Sequence, residues 1–179
     1  ALYSVFKDMS HKPKLLLKTL CIFPKSVSMG LVMRREGVAH IHVHFINHAG
    51  TAAYIISKIT GMSYSCTAHA HDIFLQLNMV RRKLLAAQFA VMISRFSMLY
   101  LCKHLGPEVL NRMQLIHCGV DTQYFTPRAL GLRRVESCVI ACVGSFKDMK
   151  GHYYLLKACA LLKQRGLNFT CRLAGNGPL

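Results

Sequence analysis

Five histidines and one aspartate form the densest chemical cluster in the chain: His40, His42 and His44, then His69, His71 and Asp72. A neutral imidazole can accept or donate a hydrogen bond and can move a proton. A nearby carboxylate fixes which ring nitrogen holds that proton. His40, His42 and His44 alternate, so in a strand they share one face. A His-x-His at a strand end with a later His and an Asp is also a ligand set for zinc, as in a metal hydrolase of barrel type. A second chemical stretch runs over residues 144–151, where Gly144, Ser145, Lys150 and Gly151 bracket a turn that leads into a helical pattern. Backbone N–H groups backed by a helix dipole bind anions, and Lys150 adds a point charge. The plain alternative is an ordinary strand–helix turn with a solvated lysine.

The elements around these residues decide whether they meet. Residues 38–45 alternate with a period of two and predict a strand; residues 49–59 follow a helical period; residues 63–69 predict a second strand. Such a βαβ unit puts both strand C-termini on one edge of a parallel sheet. Open α/β sheets bind ligands outside that edge. His42, His44, His69 and Asp72 are therefore expected to face one cleft, with His48 and His71 as solvated loop residues. Upstream, residues 1–36 read as helical, with Pro13 as a start, a further piece over 25–35 and Gly37 as a stop. Downstream come a short irregular or helical segment at 72–78, a basic helix at 80–87 and a buried strand at 89–94. A helix to about 104 is capped by Ser94 or Ser97, and Gly106 and Pro107 break the chain. A short strand at 114–117 and a loop at 119–125 follow. A second α/β pattern then begins: a strand at 139–143, a helix at 151–164 with Leu155, Cys159 and Leu162 on one face, a strand at 168–173 and a turn at 175–178.

At 53% hydrophobic, the 179 residues can bury a core. The net charge of +16 comes from 23 Lys and Arg against 7 acidic residues, and the basic residues are dispersed. No run reaches the length of a nucleic-acid-binding tail, and aromatics do not interleave with the basic residues, which disfavours nucleic acid as partner. The charge suits an anionic membrane surface or a small anionic ligand. The segment Arg81, Arg82 and Lys83, with Leu77, Met79, Leu84 and Leu85 nearby, is one place for membrane contact; a core stripe is its alternative. None of the eight cysteines forms Cys-x-x-Cys, so they read as buried free thiols of a reducing cytosol. The uncharged stretch 38–57 carries too many polar groups for a spanning helix. The first residues lack the ordered regions of a signal peptide.

Six groups of residues stand in order along the chain. They are His42, Val43, His44 and Phe45; Thr67 through His69 to Asp72 and Phe74; Ile93 and Ser94; Gly119, Val120 and Asp121 with Phe125, Thr126 and Pro127; Val143 and Gly144 with Lys150, Gly151, His152, Leu155 and Leu156; and Gly175, Asn176, Gly177 and Pro178. This series resembles the retaining GT-B glycosyltransferases of family 4 (glycosyl transferases group 1), of the colanic-acid and exopolysaccharide-biosynthesis type. The resemblance implies an α/β chain of two Rossmann-like domains facing each other across a cleft, both incomplete here. Residues 1–128 would be the later part of the acceptor domain, 129–136 a connector, and 137–179 the opening of the nucleotide-sugar donor domain. The family's first strand and glycine-rich loop are expected before residue 1, and its pair of donor-binding glutamates after residue 179.

The resemblance also implies a chemistry. A sugar passes from a nucleoside diphosphate to a saccharide or lipid-linked acceptor, with retention, in polysaccharide or lipopolysaccharide biosynthesis. No metal or other cofactor is implied; the nucleotide-sugar is a substrate. His69 is expected to reach the donor sugar near the reacting carbon and Asp72 to fix its loop. Gly144, Ser145, Lys150 and Gly151 would hold the diphosphate; His44, Gly119 and Asp121 would line the cleft. Ser145 stands where the family commonly has arginine, so a bidentate phosphate contact is missing. The expected location is cytoplasmic, at the inner face of the plasma membrane where the protein is peripheral. Two other readings stay open: a catalytically inactive basic fragment that binds anionic membrane or nucleic acid, and the metal-dependent hydrolase.

Overall fold

Pro13 opens a helix, α1 (Pro13–Arg35), because its fixed φ and missing N–H suit the first turn. The helix is continuous through Pro24, where the sequence suggests two pieces. Gly37, at φ 73°, follows its end. Strand β1 (His40–His44) leads to α2 (His48–Thr60), which ends on Gly61 in the left-handed conformation. Strand β2 (Ser63–Ala68), the short helices α3 (Ala70–Phe74) and α4 (Val80–Ala86), and strand β3 (Phe89–Met92) follow. Ser94 caps α5 (Arg95–Leu105) through a hydrogen bond from the Ser97 amide. The expected break at Gly106 is a 3-10 helix, Pro107–Arg112, which delivers β4 (Met113–Leu115).

This computed structural model describes residues 3, 7, 8, 10–75, 77–126 and 138–179. The expected connector at 129–136, together with Pro127 and residue 137, lies outside the described residues. The chain divides into two compact units, Ala1–Asp121 and Thr122–Leu179.

In the first unit, β1, β2, β3 and β4 lie in that order and every pair is parallel. Ile46, Cys66, Ala68, Leu84, Ala90, Met92 and Leu101 form one buried cluster; Ile41, Ala53, Tyr54, Ile56, Met62 and Tyr64 form another. The stretch 38–57 is thus a strand followed by a helix packed on the sheet, as its polar residues require. Helix α1 packs on α2, with Gly30 against Ile56 and Thr60, and its Thr19, Ser26 and Gly30 are all buried. A Cβ at Gly30 would lie 3.1 Å from Ile56 Cγ2 and 3.3 Å from Thr60 Cγ2. α1 is also the one helix among the described residues long and apolar enough to cross a membrane, by length and composition.

The basic helix α4 does not present its charges as expected. Arg81 pairs with Glu108. Arg82 grips Asp8 with two hydrogen bonds of 2.6 and 3.0 Å, which holds the Asp8 carboxyl below its ordinary value. Lys83 is fully buried. Its neighbours Met79 and Leu84 are core residues, so this segment is mainly packing. The eight cysteines are free, yet only Cys66 is buried; Cys21, Cys118 and Cys138 are exposed. Burial pushes the Cys66 thiol up to about 12, so that sulfur is inert.

The second unit contains β5 (Cys138–Val143), a 3-10 turn at Asp148–Lys150, α6 (His152–Gln164) and β6 (Phe169–Ala174). Strands β5 and β6 pair in parallel, Val143 opposite Ala174.

Gly30 supplies the first test. Replacing it with leucine forces a side chain into the α1–α2 contact and should cost about 1–3 kcal/mol. Alanine should cost less, since it gains up to ~1 kcal/mol of helix propensity. Urea unfolding of both variants measures this; equal stability of the leucine variant and wild type would mean that α1 does not pack on α2 there.

Candidate functional site

All four strands of the first sheet end along one edge, with His44 beside Thr67 and Met92 beside both Ala68 and Leu115. At that edge the chain turns at Phe45, whose φ of 73° lies in the left-handed region. A bulky residue there costs on the order of 1–3 kcal/mol and persists only when its surroundings over-determine it. They do so here. The Phe45 amide donates to Thr67 O at 2.9 Å, and Gly50 N–H donates to Phe45 O at 3.0 Å. The next residue, Ile46, is held at both ends. Its N–H donates to Asp72 Oδ2 at 3.1 Å, and its carbonyl accepts from Lys83 Nζ. Lys83 Nζ also donates to Asn47 O at 3.1 Å and to Thr51 Oγ1 at 3.3 Å. Asp72 and Lys83 are each only 2% exposed. Burial pulls the Lys83 ammonium down from 10.5 to about 8, partly opposed by the charge of Asp72.

Asp72 Oδ2 also accepts from the His69 amide at 3.1 Å. The carboxylate therefore holds the main chain of His69, not a tautomer of its ring, and it acts as a positioning residue. Its other oxygen, Oδ1, is buried with no partner among the described residues. The His69 ring lies against Phe45, with centroids 4.8 Å apart, and is stacked on His44 at 5.8 Å. His44, Phe45 and His69 thus share one surface at the sheet edge. Phe45 stands in the sequence series, but its left-handed backbone has no local sequence signal, so sequence reasoning gives it no role of its own.

The histidines of β1 are shared out differently from the expectation of one cleft. His40 bridges Ser63 Oγ (2.7 Å) and Ser65 Oγ (2.8 Å); His42 bridges Ser65 Oγ (2.7 Å) and Thr67 Oγ1 (3.0 Å). Histidines at alternate positions of β1 meet hydroxyls at alternate positions of β2 in register. Both nitrogens of His42 are engaged, and burial together with His44 and His40 lowers its pKa. His42, His44, His69 and Asp72 do not converge as a ligand set; among the described residues no three His, Cys, Asp or Glu side chains do. His48 and His71 are exposed, as expected, but they are not loop residues: His48 opens α2 and His71 lies in α3. Gly119 and Asp121 lie exposed in the irregular segment after β4, where His117 Nδ1 bonds Ile93 O at 3.0 Å.

In the second unit, the turn after β5 is laced to the turn after β6. Gly144 N–H donates to Ala174 O at 2.9 Å and Phe146 N–H to Asn176 O at 2.8 Å. A Cβ at Gly175 would sit 1.9 Å from Gly144 O, and one at Gly177 would sit 2.3 Å from Phe146 O, so both positions require glycine. Gly151 N–H donates to Asp148 O at 3.0 Å. The amides of Gly144 and Gly151 are therefore already used. Those of Ser145, His152 and Tyr153 have no acceptor among the described residues. Lys150 is exposed, and its side-chain stem lies over Gly144. His152, at the start of α6, is 7% exposed, lies edge-on to Phe146 at 5.1 Å and has no partner for either ring nitrogen among the described residues. Its place directly after Lys150 and Gly151 is the sequence signal for it.

No family model matches the chain. The chain is similar to a protein named "Putative glycosyltransferase EpsF" of Bacillus subtilis (strain 168), at 36% identity over 77 residues. The match covers 38% of this chain and 20% of that protein's length. That similarity supports a glycosyltransferase in general, and the α/β fold with parallel sheets is consistent with one.

The buried lysine generates a pH signature. Between about 8 and 10.5 the unfolded chain binds the Lys83 proton more tightly than the folded chain, so stability rises with pH from about 8. Below that pH the buried cation costs about 3 kcal/mol, at ~1.4 kcal/mol per tenfold change in proton affinity. Cys66 and Tyr64 are buried acids with raised pKa, so they oppose the rise above their ordinary values of 9.0 and 10.0. Urea unfolding should therefore show stability climbing from pH 8 to 9 and falling above 10. Lys83→Met should remove the climb and keep the fall; a variant that retains the climb would refute this assignment.

Proposed function

We propose that this chain is part of a retaining glycosyltransferase of GT-B architecture, of family 4 and the exopolysaccharide-biosynthesis type. The observation that carries the reading is the surface formed by His44, Phe45 and His69 at the C-terminal edge of a parallel sheet. The similarity to a glycosyltransferase over 77 residues supports it. The reaction moves a sugar from a nucleoside diphosphate to a saccharide or lipid-linked acceptor, and the nucleotide-sugar is the only small molecule it needs besides the acceptor. Residues 1–128 belong to the acceptor domain and 137–179 to the donor domain, and the reaction takes place on the cytoplasmic side.

In this reading His69 is the catalytic residue of the first unit. Its imidazole hydrogen-bonds a hydroxyl of the transferred sugar and helps hold the reacting carbon in line. Asp72 and Lys83 act through the backbone by fixing the turn that presents Phe45 and His69. In the second unit the diphosphate is held by Lys150 and by the amides of Ser145, His152 and Tyr153 at the start of α6. Donors aimed at the leaving diphosphate stabilise charge that develops only as the sugar departs. A diphosphate oxygen then takes the proton of the acceptor hydroxyl on the same face of the sugar, which gives retention.

The test uses the full-length protein that carries this chain, a panel of labelled nucleotide-sugars and a membrane extract as acceptor source. His69→Ala should slow transfer by about 100-fold, in line with the loss of a positioning and proton-handling group. Lys150→Ala should slow it by about 10-fold or more. Added chelator should leave the rate unchanged. Transfer at the wild-type rate by the His69→Ala variant would remove His69 from the mechanism.

A further inference from the structure

Helix α1 carries five basic residues, Lys14, Lys18, Lys25, Arg34 and Arg35, and no acidic residue. Apart from Arg34 in the last turn, its exposed positions form one face. Lys14, Leu17, Lys18, Cys21, Lys25, Met29, Leu31, Val32 and Arg35 are all exposed. At about 100° per residue they fall within roughly 160° of arc. Thr19, Ser26 and Gly30 point the opposite way and are buried against the protein. Leu17 is 64% exposed, Met29 51%, Leu31 48% and Val32 47%, an unusual apolar content for a solvent-facing stripe. The lysines on this face are in no ion pair among the described residues, unlike Arg81 and Arg82.

We propose that the outer face of α1 lies on the surface of an anionic lipid bilayer. The apolar side chains enter the headgroup–acyl boundary while the lysine stems extend along them and carry their ammonium groups to lipid phosphates. Two depressions beside the helix, of about 470 and 360 Å³, are floored by Leu17, Ile22 and Met29, rimmed by Lys18 and Lys25 and shared by His48. They give the bilayer a concave, mainly apolar surface with a lysine at the rim of each depression. The helix lies on the bilayer and does not cross it. Its inner side is pinned to α2 at Gly30, and crossing would place Lys18 or Lys25 in hydrocarbon at ~2.5–3.5 kcal/mol each. Two α4 arginines lie in ion pairs and its lysine is buried, so α4 does not offer its charges to an anionic surface as α1 does. This inference does not depend on the glycosyltransferase reading.

The chain has no tryptophan, which permits a direct experiment. Leu17→Trp places a single reporter on the outer face of α1, and Leu156→Trp places one on the exposed side of α6 as control. With phosphatidylglycerol–phosphatidylcholine vesicles, the emission of the Leu17→Trp variant should shift to the blue and that of the Leu156→Trp variant should not. Pure phosphatidylcholine vesicles, or high salt, should abolish the shift. Lys18→Glu with Lys25→Glu should weaken co-sedimentation with the anionic vesicles by a factor on the order of ten or more. Lys163→Glu with Arg165→Glu changes net charge equally and should leave it intact. Equal weakening by both pairs, equal binding to phosphatidylcholine, or no blue shift from the Leu17→Trp variant would overturn the proposal. So would a concentration-dependent dimer lost on Met29→Gln with Val32→Gln, since the face would then belong to a second copy. Wild-type protein that does not co-sediment with anionic vesicles at low salt would overturn the proposal even where a variant folds poorly.

Discussion

The peptide of Ile46 is the point on which the first unit depends. A buried carboxylate holds its N–H and a buried ammonium holds its carbonyl. Both charges are costly to bury, and each is tolerable because it satisfies main-chain groups that could reach no water. The result is a strand end that cannot relax. Phe45 stays in a conformation its side chain disfavours, and its ring stays on His69. Asp72 does both jobs with one oxygen, since Oδ2 accepts from Ile46 and from His69. The two consecutive strand ends are thereby tied together at the place where a ligand would arrive.

Rigid edges of this kind favour chemistry by positioning over chemistry by a strong acid or base. The imidazoles of β1 illustrate the distinction. His40 and His42 spend both nitrogens on hydroxyls of β2, so they finish a polar sheet face and are not free to act. His44 and His69 stack on one another at the edge, His69 also lies against Phe45, and they are the pair that the proposed function assigns to the substrate. One motif of three alternating histidines thus divides into structural and surface roles, and the division follows from the partner strand rather than from the motif.

That division also shows what the sequence could and could not disclose. The βαβ unit is legible because period-two and helical patterns are local, and Gly61 marks the helix end within a residue. The pairing of His40 and His42 with Ser63, Ser65 and Thr67 is latent in two alternations, but using it requires the register. Lys83 is illegible: within a run of three basic residues it looks like surface charge, and only the fold directs its stem inward to the carbonyls of Ile46 and Asn47. Helix α1 hides for a different reason. Pro24 suggests a break, yet the ring lies on the exposed side and the helix passes through it, so its length and one-sided exposure become visible only in three dimensions.

The second unit applies the same logic with glycine in place of charge. Gly175 and Gly177 let one turn lie directly on the carbonyls of another, a distance no side chain permits. The lacing consumes the amides of Gly144 and Phe146 and leaves the Ser145 amide between them without an acceptor among the described residues. With Lys150 laid over Gly144 and the unpartnered His152 behind it, the unsatisfied donors gather at the start of α6. Unused donors beside a helix N-terminus are an anion site by electrostatics alone. In the proposed function, with Ser145 where the resembled family commonly has arginine, the charge of that site falls on Lys150, whose single ammonium would neutralise a phosphate without the directional grip of a guanidinium. A site built in that way depends on its amides for orientation and on its lysine for charge.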